Sequence, residues 1–206
     1  MPIPTLPNDP QPHPPSPTGQ LFGSAMFFWN GTAWQASGDP TGGGGGAGTG
    51  VVLASVGYSV SDSFARPADV VAYAAGDVVG GARPLALIGP AAGTIMLAGA
   101  SLLIEQNALP AGSGAFRLAL YAATPPSALA DNAPFNLATA DRALFRGFVD
   151  VGAPALYGDS LYAGVAVPNW AVKLTGTGLF YYLITTGGFT PTASIVYRPS
   201  VVAIAL

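Results

Sequence analysis

Side chains that could perform acid–base, nucleophilic or metal chemistry are rare in this chain of 206 residues. It has no Cys, one His (His13), one Lys (Lys173) and one Glu (Glu105). Zinc and thiol sites therefore lack their usual ligands, and a catalytic triad would depend on His13, which lies between two prolines. We expect no catalytic residue, no metal site and no cofactor, and hence a protein that is not an enzyme.

Most of the acidic residues are aspartates beside turn-forming residues, which favours loop and capping roles. They are Asp62, Asp69, Asp77, Asp131, Asp141, Asp150 and Asp159. A glycosidase needs two carboxylates across a cleft, and the spacing selects no such pair. No calcium loop of the Asp-x-Asp-x-Asp type occurs, and the glycines of 42–50 lack the Lys-Ser/Thr ending of a phosphate-binding loop. A hydrolase with an aspartate pair is the weakest of the three functional hypotheses given below.

Charge is scarce throughout, at 8 % of residues, while half of the residues are apolar. Seven cations against ten anions cannot form a phosphate-binding stripe, so we expect no nucleic-acid partner. The uncharged run 86–104 is interrupted by Pro90 and three glycines, which predicts strands rather than a membrane span. We therefore expect no membrane partner.

The chain divides by composition into an arm (1–37), a linker (38–50) and a domain (51–206). Eight of the first 17 residues are proline, which excludes helix and sheet there and predicts an extended arm. The glycine-rich residues 38–50 predict a flexible linker. The 156 residues that follow are enough for one domain with a core of its own.

An aromatic hairpin is expected at the end of the arm, with an Asn-Gly turn at 30–31. A two-residue turn would pair Trp29 with Thr32 and Phe27 with Trp34, and would place the three aromatic residues on one face. Such a small hairpin is marginal alone and needs a surface to lie on. The residues that we expect to bind that partner are Phe27, Phe28, Trp29 and Trp34.

The domain is predicted to be all-β, because short apolar segments alternate with Gly, Pro, Asn and Asp and almost no helical periodicity occurs. We predict an antiparallel β-sandwich, jelly-roll-like, in which the arm, hairpin and linker precede the sandwich. A long loop is expected at 128–139. Strands are expected at 51–60, 70–73, 85–88, 94–105, 115–122, 142–150, 161–167, 171–174, 180–185 and 194–205.

Two of the expected strand segments, 178–184 and 200–206, are apolar on both faces. One face can fill the core of the sandwich, and the other needs cover because a monomer seldom exposes a large apolar patch. We expect this cover from other copies of the chain in a closed homo-oligomer.

Three stretches of the domain resemble segments of small β-rich virion proteins of tailed bacteriophages. They are 63–69 with 73–78, 125–132 with Phe135 and 141–142, and 190–194 with 196–197. The aromatic element 29–34 is similar to segments of phage structural and fibre proteins. The resemblance implies a capsid cement (decoration) protein, a homotrimer on the outer capsid surface of the virion that binds the major capsid protein. It carries over no site residue.

The alternative is a phage fibre or receptor-binding module, anchored to the virion by its arm. In that case the domain would hold a host glycan by aromatic stacking, for which Trp170, Tyr157 and Tyr162 are the candidates.

Overall fold

The computed structural model describes the backbone of three short strands, at 20–22, 25–29 and 34–36, and the whole of residues 56–206. The chain falls into two units, Met1–Val52 and Leu53–Leu206. The predicted linker at 38–50 and the proline-rich residues 1–17 lie outside the described residues.

The first unit contains an antiparallel sheet in the order β1-β2-β3. Its strands are β1 (Gln20–Phe22), β2 (Ala25–Trp29) and β3 (Trp34–Ala36). The expected hairpin register is wrong, because Trp29 is paired with Trp34, and Phe27 with Ala36, rather than with Thr32 and Trp34. Four residues instead of two connect the strands. Connections of this length are also common in hairpins, and an Asn-Gly pair does not by itself distinguish the two lengths.

The second unit is an antiparallel β-sandwich, which confirms the predicted fold class. The larger sheet has the order β10-β11-β7-β13-β4, with β5 also paired to β13, and the smaller sheet has the order β6-β12-β8-β9. The strands are β4 (Gly57–Ser61), β5 (Phe64–Ala65), β6 (Val78–Leu85), β7 (Thr94–Ile104), β8 (Phe116–Tyr121), β9 (Phe145–Gly152), β10 (Ala155–Tyr157), β11 (Ser160–Lys173), β12 (Leu179–Thr185) and β13 (Val196–Ala205).

Most predicted strands are confirmed, and the differences have local causes. The segments 161–167 and 171–174 form the single strand β11, whose pairing is irregular between Ala166 and Trp170. The strands expected at 70–73 and 85–88 are wrong, since only the ends of those segments, Tyr73 and Leu85, take part in pairing. Strand β6 was missed because it contains two glycines and a proline, which are rare inside strands.

The core lies between the two sheets and is built from apolar and aromatic side chains. Along β7, alternate residues point into it, as the burial pattern of that strand shows. The largest fully buried side chains of this core are Tyr181, Tyr197, Phe116, Leu85, Ile88, Ile95, Leu97, Leu102, Leu118 and Leu120.

A second apolar cluster covers the outer face of the smaller sheet. On β12, Tyr182 and Ile184 point away from the main core and pack against residues of the connection between β8 and β9, which we call the β8–β9 connection (122–144). The Phe135 ring of this connection lies 6.2 Å from the Tyr182 ring, centroid to centroid. The chain's own β8–β9 connection therefore covers the outer face of β12, and the expectation that this face needs cover from another copy is wrong. The sequence pattern did not show this cover, because a long loop can supply apolar side chains without any periodicity.

The outer face of β13 is different, because Val202 there is 42 % exposed.

In the described part of the chain, no helix has the length and hydropathy to cross a membrane. The second half of the uncharged run 86–104 is strand β7.

Candidate functional site

The four residues predicted to bind a partner occupy two adjacent strands of the first unit. Phe27, Phe28 and Trp29 are consecutive in β2, and Trp34 begins β3. By register, the positions of Phe27, Trp29 and Trp34 fall on one face of this small sheet, since Trp29 and Trp34 are direct partners. Strand β1, which the sequence pattern did not reveal, adds a third strand beside β2.

In the sandwich, the stretch 63–69 with 73–78 is organised around a buried guanidinium. The Arg66 side chain has no exposed surface, and it donates hydrogen bonds to the Tyr73 hydroxyl at 3.1 Å and to Asp69 Oδ1 at 2.8 Å. It also donates to the carbonyl of Asp69 and lies over the Tyr73 ring, 5.2 Å from its centroid. A buried cation needs such partners, because an unpaired charge is costly to remove from water.

The stretch 125–132 supplies the other charge of this network. Asp131 accepts hydrogen bonds from the Tyr73 hydroxyl at 2.6 Å and from the amide of Gly80 at 2.7 Å. Its second oxygen lies 3.7 Å from the Arg66 guanidinium. The neighbouring Asn132, with its amide nitrogen turned toward Asp77, donates to that carboxylate at 3.1 Å. The β8–β9 connection is thereby tied to the start of β6.

The residues around the start of β13 close the same network. The amide of Arg66 donates to the carbonyl of Ile195 at 3.0 Å, and the amide of Ser194 donates to the carbonyl of Pro67 at 3.3 Å. The Tyr197 ring stacks on Phe64, with 5.6 Å between centroids. Three stretches that are far apart in sequence thus meet around Arg66, which we call the Arg66 network (Arg66, Asp69, Tyr73, Asp131 and their backbone partners).

Two further carboxylates are held in the same manner. Asp141 is fully buried and accepts from the amide of Ser127 at 2.9 Å and from the Ser127 hydroxyl. Asp62 accepts from the Arg83 Nε at 2.5 Å and from the Tyr181 hydroxyl at 2.8 Å. Burial opposes ionisation of Asp62, but the hydrogen bonds from Arg83, Tyr181 and Ser63 outweigh it and lower its pKa.

The carboxylates of Asp62, Asp69, Asp131 and Asp141 therefore all accept hydrogen bonds that hold loops in place. Asp69 and Asp131 approach each other through Arg66, and one oxygen of each accepts two hydrogen bonds: Asp69 Oδ1 from Arg66 and the amide of Val71, and Asp131 Oδ1 from the Tyr73 hydroxyl and the amide of Gly80. Among residues 56–206, no three acidic or histidine side chains cluster in a way that could hold a metal ion.

The three aromatic candidates for glycan stacking do not form one cluster. Trp170 is half-buried and packs against Gly147, whose β-carbon would lie 2.7 Å from its ring. Tyr157 and Tyr162 are 67 % and 44 % exposed and meet edge to face, with 6.4 Å between their centroids. They lie on the β10–β11 hairpin at the edge of the larger sheet. Two of the three predicted residues therefore form an exposed aromatic pair.

Comparisons with protein-family models and with curated proteins found no match to this chain.

The sequence pattern also did not reveal Ser101, Ser200 and Gly164, which lie beside the tyrosine pair on the same sheet face. Small residues inside strands carry no local signal, and only strand register brings these three together.

Proposed function

We propose that this protein is a non-enzymatic structural component of a phage particle, a capsid cement protein that binds and stabilises the lattice of the major capsid protein. The observation that carries the proposal is the Arg66 network. The stretches that resemble phage virion proteins are the same stretches that meet around Arg66, and their polar side chains satisfy one another there. The resemblance therefore falls on residues that determine how the loops of the sandwich are held.

The division of the chain supports a model in which an anchor and a body have separate tasks. The four aromatic anchor residues lie in the first unit, whereas the sandwich lies in the second. Extended arms gain affinity from apolar anchors and strand addition, which need little charge. Linking two contacts in one chain also raises the effective concentration of each for its target.

The arm is tested by adding the protein to purified capsids that lack it and measuring the bound fraction by sedimentation. The double variant Trp29→Ala/Trp34→Ala should weaken binding by about tenfold or more, because large aromatic anchors dominate interfaces. Gln35→Ala, next to Trp34 in β3 but at a position on the opposite face of the sheet, is the matched control and should bind like the unaltered chain. Full decoration by the double variant, or by a chain without residues 1–38, would refute the role of the arm.

Self-association, as a homotrimer, is the second part of the proposal. Several large apolar side chains of the sandwich are exposed, among them Val56, Leu87 and Leu109. Apolar side chains that are exposed in the single chain can be covered when copies of it associate. Light scattering of the purified chain should give the mass of a closed oligomer, and a monomer at micromolar concentration would contradict this part.

A second candidate function is a fibre or receptor-binding module, favoured by the exposed Tyr157–Tyr162 pair. Aromatic rings that stay exposed on a rigid sheet are suited to stack on a ligand. Electron microscopy of the parent particle separates the two functions. A position on the capsid surface supports the cement protein, and a position at the tail tip supports the receptor-binding module.

A further inference from the structure

The outer face of the larger sheet has an open depression of about 420 Å³ across strands β7, β11 and β13. Small residues in register form its floor. Gly164 of β11 is paired with Ser101 of β7, which is paired in turn with Ser200 of β13. The Oγ atoms of Ser101 and Ser200 are 2.7 Å apart. Each hydroxyl has further hydrogen-bonding capacity, since a hydroxyl offers one donor and two acceptor positions.

The ring of Tyr162 borders this depression. It lies on the same face as Gly164, two residues away in β11, and a β-carbon on Gly164 would lie 2.8 Å from Tyr162 Oη. The ring therefore extends along the strand over the glycine. Tyr157 contacts it edge to face from the neighbouring strand β10. This contact limits the positions of the Tyr162 ring while leaving it 44 % exposed.

The depression is uncharged and lined mostly by Gly, Ala and Val, and its polar side-chain groups are the hydroxyls of Ser101, Ser200 and Tyr162. None of the described residues that line it carries a charge. In the adjacent row of the sheet, Arg198 lies opposite Leu103 and forms an ion pair with Glu105, just after β7, with 2.6 Å between nitrogen and oxygen. A charged ligand would lose hydration here without gaining a partner. A neutral ligand with hydroxyl groups would exchange its hydrogen bonds to water for bonds to Ser101, Ser200 and the Tyr162 hydroxyl.

We propose that this depression binds a neutral sugar ring. The ring's apolar C–H face stacks on Tyr162, and its hydroxyl groups exchange hydrogen bonds with Ser101 and Ser200. Three central strands carry the site, so its floor is preformed and little ordering is needed on binding. The inference deepens the second proposed function and rests on it for the class of ligand.

A second copy of the chain fits this surface less well than a sugar does. Sheets that pack face to face do so through interdigitated side chains of their apolar faces. Such a contact would bury the hydroxyls of Tyr162, Ser101 and Ser200 against carbon, which is unfavourable unless each finds a partner.

The test titrates the full chain with maltotriose and lactose as neutral probes and with sialyllactose as a charged probe, followed by calorimetry and backbone NMR shifts. We expect weak binding of at least one neutral probe, with shifts centred on Ser101, Gly164 and Ser200. Tyr162→Ala should weaken this binding by about fivefold to tenfold, the loss expected for one aromatic contact. Tyr162→Phe keeps the ring and should retain most of the affinity.

Leu156→Ala is the matched control, because Leu156 is an exposed apolar residue of β10 whose partner Leu161 points into the core, on the opposite face from Tyr162. Circular dichroism and thermal unfolding show that each variant is folded. The inference would be overturned if neither of the two neutral probes bound to the chain. Equal losses of binding for Tyr162→Ala and Leu156→Ala would also overturn it, and so would NMR shifts that are explained by self-association at this face. Those results would leave the location of the protein in the particle, and hence both proposed functions, to be decided by microscopy.

Discussion

The hydroxyl of Tyr73 donates a hydrogen bond of 2.6 Å to the carboxylate of Asp131, which lies 58 residues further along the chain. The same carboxylate lies 3.7 Å from the buried guanidinium of Arg66. Burial and the bond to Asp131 raise the pKa of Tyr73, so this phenol stays protonated and remains a donor at neutral pH. One contact thus ties the loop before β6 to the β8–β9 connection.

Replacing Asp131 tests the weight of this contact. Asp131→Ala should lower the free energy of unfolding by about 3 kcal/mol, because it removes two hydrogen bonds and leaves Arg66 with one carboxylate fewer in a buried site. Asp159→Ala, in an exposed turn, should change it by less than about 0.5 kcal/mol. Urea denaturation measures both, and similar losses would contradict a special role for Asp131.

Two buried tyrosines provide a matched pair for a second prediction. The Tyr181 hydroxyl donates to Asp62, whereas the Tyr121 hydroxyl is buried with no partner among the described residues. Tyr181→Phe should cost about 2 kcal/mol, since a bond to a carboxylate is lost. Tyr121→Phe should be neutral or stabilising, because it removes an unsatisfied polar atom. Equal effects in urea denaturation would show that the Asp62 bond contributes nothing.

Stability should fall in acid through Asp62 and Asp69, whose pKa values are both lowered. For Asp62, the hydrogen bonds from Arg83 and Tyr181 outweigh burial, and for Asp69 the main cause is the bond from Arg66. Their stabilisation is complete above the unfolded-state pKa of about 3.9 and is lost as pH falls through the lower folded-state values. Unfolding midpoints between about pH 6 and pH 2 should show this loss, and Asp62→Asn should flatten the curve. An unchanged curve in that variant would refute the assignment.

Alkali should unfold the sandwich through its buried tyrosines. Burial raises the pKa of Tyr197 to about 12, and it also raises those of Tyr73 and Tyr181. A raised folded-state pKa means that the stabilisation is complete below the unfolded-state value of about 10 and is lost as pH rises through the folded-state value. Tyrosinate absorbance should therefore rise in a late phase that coincides with loss of structure by circular dichroism. Ionisation of all eight tyrosines in one phase while the fold persists would contradict this.

The β8–β9 connection should be needed to cover β12. The Phe135 ring contacts Phe148 at 5.6 Å and Tyr182 at 6.2 Å, centroid to centroid. Phe135→Ala should lower the free energy of unfolding by about 2 kcal/mol and increase binding of an apolar dye. Val70→Ala, at a 61 % exposed position, is the control and should do neither. An unaltered dye signal in Phe135→Ala would show that this face of β12 has another cover.

Strand prediction succeeded where local chemistry decides the structure. The alternation of Phe116, Leu118 and Leu120 with smaller or polar residues is sufficient to identify β8. It failed at β6, where Gly80 has a φ of +81° and a β-carbon would lie 2.1 Å from the Phe64 ring. That glycine is required by a neighbour on another strand, and a sequence pattern cannot show such a requirement.

The candidate site was likewise predicted only in part from the sequence. Residue type alone identifies Tyr157 and Tyr162 as candidates. It also identifies Trp170, which is half-buried in the sandwich and packs against Gly147. Nothing in the sequence indicated that Tyr162 would lie over Gly164 and beside the two serines.

The sequence by itself determined which chemistry the chain can offer and its all-β class, because composition and a period of two are local properties. Only the tertiary structure decided that three distant stretches meet around Arg66, that the β8–β9 connection covers Tyr182 and Ile184, and that a tyrosine borders an uncharged depression. The physical reason is that these contacts join loops and strands across long sequence separations. Their partners are selected by the register and stacking of the sheets rather than by neighbours in the chain.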